Sequence, residues 1–274
     1  MKKVGREWSQ SLRIDRVRNI GLSYLIGFLS YRDHLKRIKK GRIKMTQGNL
    51  GAIVYEDEDY IALSKNSGVL THRMPGVRDA PIALQYLRDR VGTYLYPVHR
   101  LDRATSGINI FAKSSEACRD LQHNWTTCQR FYIALAKSDL KEAGEFNFDL
   151  KDENKIPKPS LTLYRPLWSV RQYGCFSLSL KTGRTHQIRR HFSRRVMNLV
   201  GDTRYGKAVI NNEFREQYHF HRLCLHKYQL EFVHPRTGLI TKIFAPIASD
   251  IQDLFEKLGP KTMTGILPFG DLEV

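Results

Sequence analysis

The stretch HRLDRATSGINIFAKS, His99 to Ser114, sets one carboxylate, Asp102, between Arg100 and Arg103. The small residues Ala104 to Gly107 follow at once. Such a run marks a turn, and turns at strand ends are where functional groups are exposed. Tyr94 to Val98 reads as a short strand leading in, and Ile108 to Phe111 as the strand leading out. Neighbouring cations favour the charged form of Asp102. An ionised carboxylate can act as nucleophile or base. A structural ion pair explains the same residues when this stretch is taken alone.

Outward from this stretch the chain reads mostly as strands that neighbour one another. Ile53-Val54 and Tyr60 to Leu63 flank an acidic turn, Glu56 to Asp59. Those four acids read as a solvated turn, since a metal site needs ligands converging from several directions. Asp79 is placed to cap a helix carrying Leu84, Leu87 and Val91 on one face and ending at Gly92. Ser114 or Ser115 starts another, with Ala117, Cys118, Leu121 and Trp125 inward. Phe131 to Ala136, Phe176 to Leu180 and Leu239 to Phe244 read as strands. Tyr228, Leu230 and Phe232 alternate with Lys227, Gln229 and Glu231 at strand period. Asp149 to Pro159 is polar, carries two prolines and reads as a surface loop. A final helix opens with the capping box Ser249-x-x-Gln252 and stops at Gly259. Hairpins outnumber βαβ units, so the fold class is α+β with a mixed, largely antiparallel sheet.

Composition narrows the partner. The 274 residues hold 45 Lys and Arg against 27 Asp and Glu, a net charge of +18. That excess suits a polyanion, with nucleic acid ahead of a membrane surface. No apolar run reaches the roughly 18 residues of a membrane span. The four cysteines are scattered without a C-x-x-C pair and read as reduced thiols, which fits a cytoplasmic chain. His219, His221, Cys224 and His226 lack the paired spacing of a zinc site, so no metal is expected. Residues 1–44 carry 13 Lys and Arg against three acids. They read either as an RNA-binding arm or as a flexible tail ahead of Met45. The expected organisation is a basic extension over 1–48, a main folded domain over 49–262 and a tail over 263–274.

Two further pieces carry chemistry. Lys181 to His191, KTGRTHQIRRH, reads as a strand end, a turn at Gly183 and a helix start capped by Thr185. Arg189, Arg190, Arg194 and Arg195 would give that helix a basic face for a nucleic-acid backbone. Gly201 to Gly206, GDTRYG, is a glycine-bracketed loop without phosphate-loop spacing.

Taken together and in order, these pieces resemble the RluA-type pseudouridine synthases. HRLDRATSGINIFAKS resembles that family's HRLDxxTSG motif, RFYIAL (Arg130 to Leu135) its K-x-Y-x-A segment, and KTGRTHQIRRH its TGRxHQIR motif. GDTRYG and LCLHKYQLEFVHPRTG match two later landmarks. The similarity spans about Ala52 to Gly259. Lys65-Asn66-Ser67-Gly68 departs from the usual K-P-x-G, which questions the stiffness of that loop, and Arg130 replaces a lysine. The resemblance implies the pseudouridine synthase fold with a central active-site cleft. It also implies cofactor-free isomerisation of uridine in RNA, most like a branch acting on uridine 65 of tRNA. It assigns Asp102 as nucleophile, Tyr132 as the active-site tyrosine and Arg184 as the guanidinium paired with Asp102. RNA contacts are expected from Arg100, Arg103, His186, Gln187, Arg189, Arg190 and Arg194, with Arg103 free to face away from the site. A monomer acting on tRNA is expected, without a membrane partner; ribosomal RNA, or RNA binding without catalysis, are the alternatives.

Overall fold

The computed structural model describes residues 50–77 and 80–259. The expected arm over 1–48, the Asp79 cap and the tail over 263–274 lie outside the described residues. The described residues begin with β1 (Gly51–Glu56) and β2 (Tyr60–Lys65), then α1 (Ala83–Val91), β3 (Tyr96–Pro97), β4 (Ser106–Ala112) and α2 (Ser115–His123). β5 (Gln129–Lys137), β6 (Gly144–Asn147), β7 (Leu150–Lys151), β8 (Pro157–Lys158), β9 (Leu161–Val170) and β10 (Tyr173–Leu180) follow. The last third holds α3 (Gln187–Arg194), β11 (Asn198–Leu199), α4 (Ala208–Tyr218), β12 (Leu225–Val233), β13 (Ile240–Phe244) and α5 (Ser249–Leu258).

Eleven strands form one sheet with the path β1-β2-β4-β12-β5-β10-β9-β6; β3 joins β4, β11 joins β5 and β13 joins β12. The strand pairs are antiparallel except β4 with β12. This is the mixed, largely antiparallel α+β architecture that the hairpin-rich pattern predicts. β7 and β8 pair separately, so the expected surface loop over 149–159 contains a short hairpin.

Strand alternation places the helices. On β5, Phe131, Ile133 and Leu135 pack with Ile210 and Phe214 of α4 and Ile251 and Leu254 of α5. Tyr132, Ala134 and Ala136 face the other way, onto Ile188 and Phe192 of α3. That is period two on a strand covered on both faces. β12 shows the same cover. Its polar residues Lys227, Gln229 and Glu231 are buried along with their apolar neighbours. The alternation marks a strand, but it does not mark a solvent face. No helix among the described residues is long and apolar enough to cross a membrane.

Helix ends show which local signals act. Ser114 caps α2, its hydroxyl accepting from the Ala117 amide at 3.0 Å. Gly92 closes α1 in the left-handed region, as its lack of a Cβ allows. The expected capping box does not form: Ser249 lies inside α5, whose cap is Ala248, and Gln252 reaches Glu256. Thr185 does not cap α3 either. His186 stands there at φ 53°, and the Gln187 side-chain oxygen Oε1 accepts from the Arg184 amide and the Thr182 hydroxyl.

Candidate active site

Asp102 sits in the turn that delivers the chain to β4, and three groups fasten that turn. The Lys65 ammonium at the end of β2 donates to the carbonyls of Thr105 at 2.7 Å and Val69 at 2.9 Å, with Asn66 and Arg103 beyond. Burial pushes this ammonium down to about 7, and the Asp102 charge opposes that. The Ser67 hydroxyl donates to Ala104 O, and the Gly68 amide to Arg103 O. The missing proline of this loop has a local account. Asn66 uses its backbone N–H to reach Leu50 O at 3.0 Å, which a proline lacks. On the far side of the turn, Gly107 adopts φ +105° against β12. A Cβ there would stand 2.2 Å from the Lys227 carbonyl, so only glycine fits.

The carboxylate side of Asp102 is built by α3. Arg189 Nη1 lies 3.4 Å from Asp102 Oδ2, and His186 Nε2 lies 3.7 Å from the same oxygen. Arg189 is itself held by Asp202 of the glycine-bracketed loop, donating from Nε and Nη2 at 2.8 Å each. Asp202 also accepts from the Arg204 and Tyr205 amides. Burial opposes ionisation of Asp202. The Arg189 hydrogen bonds, with those amides and the Arg189 charge, outweigh it and hold the carboxyl below its ordinary range. Tyr205 closes the ring, its hydroxyl 3.0 Å from His186 Nδ1 and its face under the Arg189 guanidinium. Burial pushes the His186 imidazole down, against the pull of Asp102. A neutral His186 therefore faces the carboxylate.

Asp102, Tyr132, His186 and Arg189 line one cleft of about 330 Å³. That volume lies in the range of small-molecule sites, about 300–1,000 Å³. Tyr132 rises from its floor. Burial raises its phenol well above the ordinary value; the Arg130 charge works against that and the Asp102 charge with it. His99, Trp125 and Arg130 line the same cleft.

The sequence-predicted residues divide by position. Asp102 and Tyr132 come together as expected. Arg184 lines the cleft but does not pair with Asp102; its Nε donates to Pro159 O at 3.0 Å. The guanidinium on Asp102 is that of Arg189, five residues further on and inside the helix. Arg189 is therefore not a free phosphate contact: it is buried between two carboxylates. Gln187 is buried too, and its amide donates to Leu161 O and Thr162 Oγ1. Arg100, Arg103 and Arg194 are exposed, and Arg190 is half-buried. Arg103 Nε donates to Gly68 O, and Arg190 and Arg194 donate to the carbonyls of Lys151 and Asp149. Lys65, Asp202 and Tyr205 escaped the sequence reading. The one signal available was for Asp202 and Tyr205, which both lie in the glycine-bracketed stretch Gly201 to Gly206. Among the described residues no cluster of His, Cys, Asp or Glu could hold a metal ion.

Comparison with known proteins follows this geometry. A family profile described as RNA pseudouridylate synthase matches residues 59–194. A Vibrio vulnificus protein named tRNA pseudouridine synthase C is 36% identical over 230 residues, 75% of this chain and 94% of that relative. The solved structure titled Human RNA Pseudouridylate Synthase Domain Containing 1 superposes with a TM-score of 0.58 at 25% identity, covering 74% of this chain and 86% of that one. The one titled Human RNA Pseudouridylate Synthase Domain Containing 4 superposes with a TM-score of 0.61 over 86% of this chain and 97% of its own; at 18% identity it speaks to the fold.

Proposed function

The chain belongs to the RNA pseudouridylate synthase family, and from that premise we propose that it isomerises a uridine of tRNA, at position 65, with Asp102 as the nucleophile. The observation that carries the reading is Asp102 in a nucleoside-sized cleft, its turn fastened by Lys65 and its carboxylate held by Arg189. The reaction breaks the N1–C1′ bond, turns the base and rejoins it through C5. Asp102 attacks either C1′ of the ribose or C6 of the ring. Arg189 fixes the carboxylate orientation, since its own fork is anchored on Asp202. Tyr132 offers a flat face to the uracil. The target must first leave its stack, at a cost on the order of a few kcal/mol. Phosphate contacts from Arg100, Arg190 and Arg194 offset that cost.

The relatives named for tRNA favour tRNA over ribosomal RNA. The test is conversion of purified tRNA transcripts by the purified protein, with pseudouridine mapped at nucleotide resolution. Pseudouridine at position 65, absent from a transcript carrying cytidine there, is the expected result. Conversion of ribosomal RNA fragments instead would move the substrate, and no conversion of either RNA would sink the reading.

A further inference from the structure

Two buried nitrogen donors, Arg130 in the lining of the cleft and Lys227 behind that lining, are left unused by the scheme above. Lys227 on β12 is fully buried, and its Nζ has no hydrogen-bond partner among the described residues. Arg130 on β5 is 4% exposed; its Nη2 donates to Leu180 O at 2.9 Å while its Nε is equally without a partner. Both lie against one ring. Lys227 Nζ is 5.2 Å and the Arg130 guanidinium carbon 5.8 Å from the centre of Trp125. Trp125 in turn stacks on His99 with centroids 4.5 Å apart, and Trp125, His99 and Arg130 all line the cleft that holds Asp102. Lys227 pairs across the strands with Tyr132, so it projects from the same floor.

Leaving a buried donor unmade costs about 1–3 kcal/mol, more for a charged group. Two such donors side by side, next to a catalytic carboxylate, call for an acceptor that arrives with the substrate. We propose that Arg130 and Lys227, roofed by Trp125, form a subsite for the carbonyl oxygens of the extruded uracil and for the negative charge those oxygens gain during reaction. The inference rests on the proposed pseudouridine chemistry.

Both routes open to Asp102 load that charge. Attack at C1′ forms the O–C1′ bond and sends the N1–C1′ electron pair into the ring, where O2 and O4 share it. Addition at C6 forms the O–C6 bond and sends the C5–C6 pair onto O4. Either way an oxygen of uracil becomes anionic while Asp102 loses its charge. Donors placed beforehand where charge develops stabilise a transition state more than a ground state. Burial and the Arg130 charge push the Lys227 ammonium well below its ordinary value.

The experiment compares wild type with Lys227→Met, which keeps the chain length and removes the donor, on the same tRNA transcript. The expected result is kcat lowered about a hundredfold, RNA affinity within threefold, and a melting temperature unchanged or raised. A transcript with 5-fluorouridine at the target makes the departing base more acidic. The variant's defect in consuming that nucleotide is then expected to shrink at least tenfold. Should Lys227→Met not fold, Lys227→Gln carries the same comparison. An unchanged kcat, or a defect identical with both bases, overturns the subsite and leaves Lys227 as a packing cation under Trp125. Failure of the wild type to form pseudouridine at all strikes the underlying function instead, so the two failures are distinguishable.

Discussion

The pairing of Arg189 with Asp202 is the joint between the glycine-bracketed loop and the Asp102 carboxylate, and Asp202→Asn tests it. The substitution keeps shape and removes charge. Both partners are shielded, with side-chain exposures of 1% for Asp202 and 7% for Arg189. Removing one partner of such a pair costs about 3–5 kcal/mol. For a domain of this size each kcal/mol moves the midpoint by about 2–4 °C, so the melting temperature should fall by about 6–20 °C at pH 7. The pH dependence has a definite sign. Asp202 has a lower pKa folded than unfolded, so its contribution is present above the unfolded value near 3.9 and is lost as pH falls through the folded value. Thermal unfolding followed by circular dichroism from pH 3 to 8 should show the gap between wild type and variant closing below about pH 4. A gap under 2 °C at pH 7, or one that keeps its full size at pH 3, would refute the reasoning.

Three more outcomes are expected. Gly107→Ala should destabilise the fold by more than 3 kcal/mol in denaturant titration, since the added Cβ meets the Lys227 carbonyl and φ is +105°; a loss below 1 kcal/mol would mean that β4 and β12 part easily. Lys65→Met should leave the Thr105 and Val69 carbonyls unpaired at about 1–3 kcal/mol each and lower kcat with little change in RNA affinity; equal kcat in the folded variant would show that the turn holds its shape unaided. Arg194→Ala should weaken RNA binding and flatten the slope of log K against log salt by up to about 0.9, measured by fluorescence anisotropy; an unchanged slope removes Arg194 from the phosphate contacts.

The sequence made the sheet legible because its strands alternate or run apolar, and β4, β5, β10, β12 and β13 fall where those patterns lie. It placed Asp102 and Tyr132 because each lies in a short motif. It misplaced the carboxylate's partner because motif proximity does not say which way a side chain points. Arg184 and Arg189 are equally basic on paper, and only the turn of α3 decides that Arg189 faces inward while Arg184 reaches Pro159. Lys65 and Lys227 were illegible for another reason. A lysine in a sequence reads as surface charge, and a buried one is revealed only by the strands stacked around it. The Thr185 cap failed because tertiary packing set that helix end: Gln187 is drawn to Leu161 and Thr162 of β9 and leaves Thr185 without a role as a cap.

The central claim is that the Asp102 carboxylate makes the covalent attack, and the most direct measurement is pseudouridine formed per enzyme by purified Asp102→Asn beside wild type under single-turnover conditions. The expected result is no product above background, with tRNA bound within about threefold of the wild-type affinity. Product at a measurable rate from a preparation verified as the asparagine form would contradict it.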